Sequence, residues 1–325
     1  MLFGKRQRLF TGLQASGKLH IGNYFGALKP FLDSYETYDS MLMVADYHSL
    51  TTVKDPEKVR QGIIDVVADY IAAGVDPEKA VIFKQSDVPE HTEMAWIFEC
   101  QVTVPFLMQA HAYKDKVAKG LEANAGLFNY PMLMAADILL YDTDVVPVGE
   151  DQRQHIEYAR EAAAKFNTAY GETFKEPKEM ILGGVGVVPG TDGKKMSKSY
   201  GNTIPLFGSR DDIAKAVMSI VTDSGDPSTS SGQGGRPAAN VYAIHKLLKS
   251  EAELAPLYET NKGNYKALKE ALIEDLDSFI APMRKKRAGL SRAVIMGVLE
   301  EGSAKARERA SAKMKDVRKK VGVSL

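Results

Sequence analysis

The chain has 325 residues, 44% of them hydrophobic and 26% charged, a balance typical of a folded globular protein and unlike that of a disordered one. Its apolar runs stay below the roughly 20 residues that a membrane-spanning helix requires, and no long apolar stretch follows the first charges, so the sequence predicts a cytoplasmic protein. The single cysteine, Cys100, excludes an internal disulfide and a cysteine-built metal cluster, and we expect it to be buried beside Ile97 and Phe98.

The formal net charge is zero, but the charges are unevenly placed along the chain. Residues 284–320 carry 13 Lys or Arg and 4 Asp or Glu, a net charge of +9, so the rest of the chain carries −9. A basic stretch fits a partner with a phosphate backbone, and it fits the solvated face of a helix equally well. The sequence leaves both interpretations open.

The first half of the chain alternates short apolar runs with helical patterns, which predicts a parallel sheet with helices on its faces. Strands are predicted at four places, one ending near Thr11 and the others over residues 42–45, 81–83 and 144–148. The clearest helix has Asp55 as its N-cap and Pro56 at its first position, and it ends at Gly74. The predicted fold class is α/β, with a Rossmann-type, doubly wound parallel sheet.

After residue 203 the strand patterns disappear and helical patterns dominate. The predicted helices cover residues 211–221, 238–249, 264–280 and 303–321, and the Ser- and Gly-rich residues 224–237 are predicted to be a flexible loop. The sequence therefore predicts a sheet domain over residues 1–203, a second, all-helical domain over 204–290, and a C-terminal helical segment over 291–325. This last segment either packs back on the sheet domain or contacts RNA.

Residues 12–19 follow the first predicted strand and nearly match the phosphate-binding P-loop pattern G-x-x-x-x-G-K-[ST]. Leu19 stands at the last position and has no hydroxyl to bind Mg²⁺, although Asp46 after the second strand imitates the acidic partner of that motif. A nucleotide-hydrolysing P-loop protein is kept as an alternative from a different class, as is a non-catalytic RNA-binding protein.

The next four residues, His20 to Asn23, begin a predicted helix that runs to Leu32. The first turn of a helix favours phosphate oxygens because its N–H groups are unpaired and its dipole is positive there. His20 and Asn23 share one side of that turn, and Gly22 is expected to leave space for an adenine. Taken alone, the same residues fit an ordinary helix start with a solvated histidine.

A second motif, Lys195-Met196-Ser197-Lys198-Ser199, follows the turn-rich residues 189–193. Two lysines three residues apart in such a segment can close over a triphosphate and neutralise charge as pyrophosphate departs. The two motifs together resemble the signatures of the class I aminoacyl-tRNA synthetases, of the HIGH and KMSKS types, here HIGN at 20–23 and KMSKS at 195–199.

The similarity covers nearly the whole chain, and residues 130–139 and 146–155 look like the amino-acid pocket of the tryptophanyl branch of that class. The tyrosyl branch is the closest alternative, and residues 135–137 and 149–152 disfavour it. Tryptophan offers a flat apolar ring and one indole N–H donor, so its pocket needs apolar walls and one acceptor. Tyr130, Met134 and Asp137 share a helical face at spacings of four and three.

The resemblance implies roles for specific residues. Asp137 would accept the indole N–H, and the tryptophan-binding set would be Phe10, His48, Tyr130, Met134, Asp137, Val146, Val148 and Gln152. The ATP-binding set would be Gln14, Ala15, Ser16, Gly22, Asn23, Gly149, Glu150, Asp151, Lys195, Met196, Ser197, Lys198 and Ser199. Plain core packing would also explain Met134, Val146 and Val148. His48 and Lys116 match family positions near the substrate and ATP, and a surface histidine or a solvated lysine would explain them nearly as well.

The implied reaction needs no protein nucleophile. The tryptophan carboxylate would attack the α-phosphorus of ATP to give tryptophanyl-AMP and pyrophosphate, and tRNA(Trp) would then accept the aminoacyl group. His20, Asn23, Lys195 and Lys198 are assigned to transition-state stabilisation, with Mg²⁺ held mainly by the ATP phosphates and not by the protein. The resemblance further implies a homodimer and an anticodon-binding role for residues 204–290.

Overall fold

The computed structural model describes residues 6–15, 18–118, 120, 123–148, 153–181, 187–221 and 239–324. The strands are β1 (Arg8–Gln14), β2 (Asp39–Ala45), β3 (Ala80–Lys84), β4 (Val145–Val148) and β5 (Lys178–Ile181). The α-helices are α1 (Ile21–Asn23), α2 (Lys29–Leu32), α3 (Asp46–Ser49), α4 (Pro56–Ala73), α5 (Glu90–Glu99), α6 (Val104–Leu107), α7 (His111–Ala118), α8 (Ala125–Leu139), α9 (Arg153–Tyr170), α10 (Arg210–Met218), α11 (Ala239–His245), α12 (Glu251–Thr260), α13 (Tyr265–Ala288) and α14 (Arg292–Lys320). A π-helical turn, Tyr24–Leu28, joins α1 to α2, and short 3₁₀ turns cover Tyr35–Thr37, Gln85–Asp87 and Lys198–Tyr200.

The five strands form one parallel sheet in the order β3-β2-β1-β4-β5. The chain builds outward from β1 to β3 on one side and then returns to add β4 and β5 on the other. This reversal places a topological switch point between β1 and β4, and ligands of such sheets bind at the carboxyl ends of the strands there. The predicted α/β fold class, with a parallel doubly wound sheet, is confirmed.

The described residues divide into two compact units. The first, the sheet unit, comprises Met1–Gly17, Phe31–Leu182 and Leu290–Leu325, and the second, the helical unit, comprises Lys18–Pro30 and Gly183–Gly289. The helical unit therefore contains both the HIGN and the KMSKS residues, and the predicted boundary between 203 and 204 falls inside it. Its elements within the described residues are helices, short turns and two isolated bridges.

Helix α4 matches the sequence expectation at both ends. The Asp55 side chain accepts hydrogen bonds from the N–H groups of Glu57 and Lys58, and Gly74 ends the helix with a positive φ of 124°. The helix lies close to β1, because a Cβ on Gly62 would overlap the backbone carbonyl of Ala15. The helix backbone therefore passes close to the residue that follows the carboxyl end of β1.

The last helix, α14, packs against β3 within the sheet unit. A Cβ on Gly302 would overlap the carbonyl oxygen of Ile82, so the helix backbone approaches the strand closely at this glycine. Several of its basic side chains form ion pairs with acidic residues of the same unit: Arg309 with Asp39, Lys313 with Asp142, and Arg318 with Glu93. Part of the basic C-terminal stretch is thus engaged in ion pairs within the chain.

Several expectations about the elements need correction. Strand β5 and helix α12 were not predicted, α14 begins at Arg292 instead of 303, and β1 continues to Gln14 instead of ending near Thr11. Cys100 is exposed, because it follows the last residue of α5 while Phe98 supplies the buried face there. The predicted flexible loop, residues 224–237, lies outside the described residues. Among the described helices, none combines the length and apolar character needed to cross a membrane.

Candidate active site

His20 is the N-cap of α1 and forms a reciprocal pair with Asn23. Its Nδ1 accepts from the backbone N–H of Asn23 at 3.3 Å, and its own backbone N–H donates to Oδ1 of Asn23 at 3.1 Å. The N–H of His20 thus gains a side-chain acceptor, and the N–H of Asn23 is shared between Nδ1 of His20 and the His20 carbonyl, which lies 2.9 Å away. His20 is 5% exposed, so the alternative of a solvated histidine is wrong.

The protonation state of His20 follows from its surroundings. Burial and the positive charge of Lys198 lower its pKa to about 4, so the imidazole is neutral near pH 7. A neutral imidazole carries one N–H, and Nδ1 is already an acceptor. The proton therefore lies on Nε2, which makes Nε2 a hydrogen-bond donor of the kind that a phosphate oxygen accepts.

Gly22 is required by the chain itself. A Cβ at this position would lie 2.8 Å from His20 Nδ1 and 3.2 Å from the Cβ of Met196. The glycine thus allows the HIGN turn to approach the KMSKS segment closely. An adenine lying against Gly22 stays a prediction.

The KMSKS segment has one buried side chain between its two exposed lysines. Met196 is 4% exposed and packs inward, whereas Lys195 and Lys198 are exposed. An isolated antiparallel bridge joins Lys195 to Pro189, and Gly193 takes a φ of 80° in the turn between them. Met196, the buried side chain between the two lysines, anchors the segment.

The two motifs, about 175 positions apart in the sequence, lie together in the helical unit. The backbone N–H of Ile21 donates to the carbonyl of Ile204 at 3.0 Å, and that of Leu206 donates to the carbonyl of Leu19 at 3.0 Å. His20 forms an isolated bridge with Pro205 between these bonds. The sequence predicted both motifs but not this short backbone pairing between the HIGN turn and the residues that follow KMSKS.

In the sheet unit, Asp137 on α8 is buried with 1% exposure and surrounded by donors. Its Oδ2 lies 2.8 Å from Nε2 of His48, and its Oδ1 lies 2.8 Å from Nε2 of Gln85 and 2.6 Å from Nδ1 of His91. Burial raises the pKa of this carboxyl, but interactions with His48 and His91 outweigh burial and lower the pKa to about 2. Asp137 is therefore an ionised carboxylate in the interior.

Sequence reasoning missed two of these partners, Gln85 and His91. Gln85 directly follows β3, at the carboxyl end of a parallel strand, and that position was a usable signal. His91 lies on α5 without any motif around it, and its Nε2 lies 2.7 Å from the hydroxyl of Tyr141. His48 was predicted, and its 7% exposure excludes the alternative of a surface histidine.

The other predicted pocket residues lie around this carboxylate in the sheet unit. Phe10 is buried and stacks on Tyr141 with 5.6 Å between ring centroids. The ring of Tyr130 lies edge-on to His48, and its hydroxyl is 3.2 Å from Nε2 of His155. Val146 is buried on β4 and Met134 is partly buried in the core. These positions fit pocket walls and core packing alike.

The remaining predicted residues are divided by what the structure describes. Gln14 is exposed at the end of β1, Ala15 is buried, and Lys116 is half-buried on α7. Ser16, Gly149, Glu150, Asp151 and Gln152 lie outside the described residues, as do the side chains of Val148 and Ser199. No group of three or more His, Cys, Asp or Glu side chains is arranged to hold a metal ion in the part of the chain that the structure describes.

Comparison with known proteins agrees with this arrangement. Residues 4–281 match the family model of tRNA synthetases class I (W and Y). The chain is 45% identical to the tryptophan–tRNA ligase of Fusobacterium nucleatum over 98% of both chains, and 42% identical to that of Rhodopirellula baltica over 97% and 99%. It superimposes with a TM-score of 0.88 and 42% identity on the tryptophanyl-tRNA synthetase of Campylobacter jejuni complexed with ADP and tryptophan, over 97% of this chain and all of that one.

The fold and both signatures define a class I tRNA synthetase, and the chain belongs to this class. A tyrosyl-tRNA synthetase from Archaeoglobus fulgidus shares only the fold, at 19% identity and a TM-score of 0.65. Within the class, the chain belongs to the tryptophan–tRNA ligase family. It is therefore an enzyme, and the P-loop and non-catalytic alternatives are wrong.

Proposed function

We propose that this chain activates L-tryptophan with ATP and then transfers it to the 3′ end of tRNA(Trp), with Asp137 as the acceptor for the indole N–H. The observation that carries this assignment is the ionised, buried carboxylate of Asp137. A carboxylate offers about four acceptor positions, and three nitrogens of the chain already lie within 2.8 Å of it.

The remaining acceptor position belongs to Oδ2 of Asp137. Among the residues that the structure describes, Oδ1 faces both Gln85 and His91, whereas Oδ2 faces His48 alone. The indole N–H of tryptophan is therefore expected to bind Oδ2. A side chain without that N–H would leave this acceptor desolvated and unpaired, which rejects phenylalanine strongly.

The phosphate-binding residues are proposed from the helical unit. His20 donates from Nε2, and Lys195 and Lys198 supply positive charge from an exposed segment. A carboxylate oxygen of tryptophan attacks the α-phosphorus, the bond to the pyrophosphate oxygen breaks, and the added negative charge leaves with pyrophosphate. Reactions of this kind depend on positioning and on charge neutralisation. Mg²⁺ is proposed to accompany ATP through its phosphate oxygens.

The assembly and location are proposed from the family and from the surface. Three large apolar side chains are exposed within thirteen residues that cover the end of α5, α6 and the turn after it. They are Trp96, Val104 and Met108, with exposed fractions of 68%, 61% and 48%. Large apolar side chains exposed together mark an interface, and a second copy of this chain is the proposed occupant. Residues 204–290 are proposed to bind the anticodon, and the enzyme is proposed to act in the cytoplasm.

The test is ATP–pyrophosphate exchange by purified protein with Mg²⁺, with each of the twenty standard amino acids supplied in turn. Exchange with tryptophan alone is expected. Exchange with tyrosine would keep the reaction and overturn the assignment of Asp137. Absence of exchange with all twenty, from folded protein that binds ATP, would overturn the proposed activation step.

A further inference from the structure

We propose that Asn202, three residues after the KMSKS motif, is a positioning residue that holds the lysines of that motif in place for ATP. The segment 188–199 is named the lysine loop below. The proposal rests on the proposed function, because it concerns the same activation reaction. Asn202 itself is 2% exposed and acts through the backbone of the loop.

The side-chain amide of Asn202 contacts three points of the lysine loop. Its Oδ1 accepts from the backbone N–H of Ser197 at 2.8 Å. Its Nδ2 donates to Oδ1 of Asp192 at 2.6 Å and to the backbone carbonyl of Lys195 at 3.1 Å. The amide thus uses both of its N–H donors and its oxygen on a single loop.

The loop is built to admit this side chain. A Cβ on Gly190 would overlap the amide nitrogen of Asn202, so only glycine permits this close approach. The backbone carbonyl of Asn202 also accepts from the N–H of Thr191 at 2.9 Å. The contact with Asn202 lowers the pKa of Asp192 below its usual value, which keeps that acceptor ionised.

The consequence concerns the two lysines. The bonds to the Lys195 carbonyl and the Ser197 N–H lie on either side of Met196, the buried anchor that packs beside Gly22. Asn202 therefore fixes the backbone from which Lys195 and Lys198 extend. Loss of its amide is expected to displace the ammonium groups, and small displacements of positioned groups cost up to a hundredfold in rate. Tryptophan binding, which involves other residues, should change little.

The first experiment compares Asn202→Ala with Asn264→Ala in the full chain. Asn264 is the N-cap of α13 in the same unit, so its replacement removes a comparable side-chain bond away from the loop. Exchange kinetics are measured with ATP and tryptophan varied separately, and the concentration of active enzyme is taken from the burst of tryptophanyl-AMP. We expect Asn202→Ala to lose at least tenfold in kcat/KM for ATP, with the KM for tryptophan within twofold of wild type.

The second experiment uses pH to identify the contact with Asp192. In Asn202→Asp the introduced carboxyl faces Asp192 and the Lys195 carbonyl, so its own pKa is raised. When it is protonated it can donate to Asp192 as the amide does. The ratio of kcat/KM for ATP in Asn202→Asp to that in Asn202→Ala at the same pH should therefore rise as the pH falls from 8 to 6. The same ratio at both pH values would contradict this contact.

The outcomes separate the proposal from the function on which it rests. Wild-type protein without exchange activity would overturn the proposed function. Active wild type with unchanged kinetics in Asn202→Ala would overturn the positioning role and leave the function standing. Equal increases in the KM values for ATP and for tryptophan per active enzyme, or the same ATP-specific loss in Asn264→Ala, would assign Asn202 a structural role only.

Discussion

Asp137 shows how a single interior charge is maintained. Its burial favours the neutral acid, yet interactions with His48 and His91 lower its pKa to about 2, and Gln85 donates a further hydrogen bond to Oδ1. The same donors fix the orientation of the carboxylate, because each oxygen has a defined partner. A ligand N–H thus meets an acceptor that is already charged and aligned.

The lowered pKa of Asp137 predicts a specific acid sensitivity. The folded state favours the ionised form of Asp137. Its contribution to the free energy of unfolding is therefore fully present above the unfolded pKa near 4, and it is lost as the pH falls towards 2. That contribution is about 2–3 kcal/mol. The free energies of unfolding of wild type and of Asp137→Asn are measured in urea at pH 5, 4 and 3. As the pH falls, that of wild type should decrease relative to that of the variant. A constant difference would contradict an ionised Asp137.

The lowered pKa of His20 predicts a pH effect over a higher range. In the unfolded chain the imidazole of His20 is protonated near pH 6.5, whereas in the folded chain it is protonated near pH 4. The unfolded state therefore binds more protons between these values, and the free energy of unfolding decreases as the pH falls from 6.5 to 4. His20→Asn keeps a side-chain acceptor at the N-cap and does not titrate. Its unfolding free energy should therefore decrease less than that of wild type between pH 7 and pH 4. Parallel decreases would place the His20 pKa near its usual value.

At the scale of elements, the structure depends on glycines that allow close backbone approach. Gly302 lets α14 lie against β3, while Gly297 of the same helix has no atom within 4 Å of the position of a Cβ. Replacing each glycine by alanine changes helix propensity equally, but only the replacement at Gly302 also disturbs packing. The two positions therefore form a matched pair.

Gly302→Ala should lower the free energy of unfolding by about 3 kcal/mol, since its Cβ would meet the backbone of Ile82. Gly297→Ala should raise it by about 0.5–1 kcal/mol, because alanine favours a helix and nothing obstructs it. Chemical denaturation measures both. An unaltered midpoint for Gly302→Ala would mean that α14 does not lie on β3 in solution.

How much of the fold the sequence predicts depends on whether the signals are local. Helix α4 was predicted at both ends because Asp55, Pro56 and Gly74 act within one turn. Strand β5 was missed because its four residues, Lys178–Ile181, include two charged ones and only its pairing with β4 makes it a strand. Helix α12 was missed because its Pro256 is typical of a helix end.

The same distinction applies to the candidate site. HIGN and KMSKS are recognisable as motifs and the family resemblance singles out Asp137, whereas His91 joins the carboxylate from a separate helix with no periodic signal. Gly22 was assigned to a ligand, and the structure shows that packing beside Met196 already requires it. Contacts between distant segments cannot be deduced from spacing within one segment.

At the scale of the whole molecule, the uneven charge has an internal explanation. The body of the chain carries −9 and residues 284–320 carry +9, and α14 places Arg309, Lys313 and Arg318 against acidic residues of the sheet unit. Attraction between the two parts thus helps the C-terminal helix to dock. The basic stretch need not be a footprint of RNA at these three positions.

The double replacement Arg309→Gln with Lys313→Gln should lower the free energy of unfolding by about 1–2 kcal/mol, as partly exposed ion pairs do, and leave tRNA affinity within twofold. Lys305→Gln with Lys315→Gln, at exposed positions of the same helix, is the matched control of equal charge. Binding of tRNA at two salt concentrations measures the effect. A larger loss of affinity in the inner pair than in the control would reverse this interpretation.

The central claim is that Asp137 recognises the indole N–H of tryptophan, and a substrate comparison tests it most directly. The measurement is kcat/KM in the exchange reaction for tryptophan and for an analogue with sulfur in place of the indole N–H, using wild type and Asp137→Asn. Wild type should prefer tryptophan by about 10- to 100-fold, and the variant should lose most of that preference at an unchanged KM for ATP. An equal preference in the folded variant would contradict the claim and assign recognition of the indole to another residue.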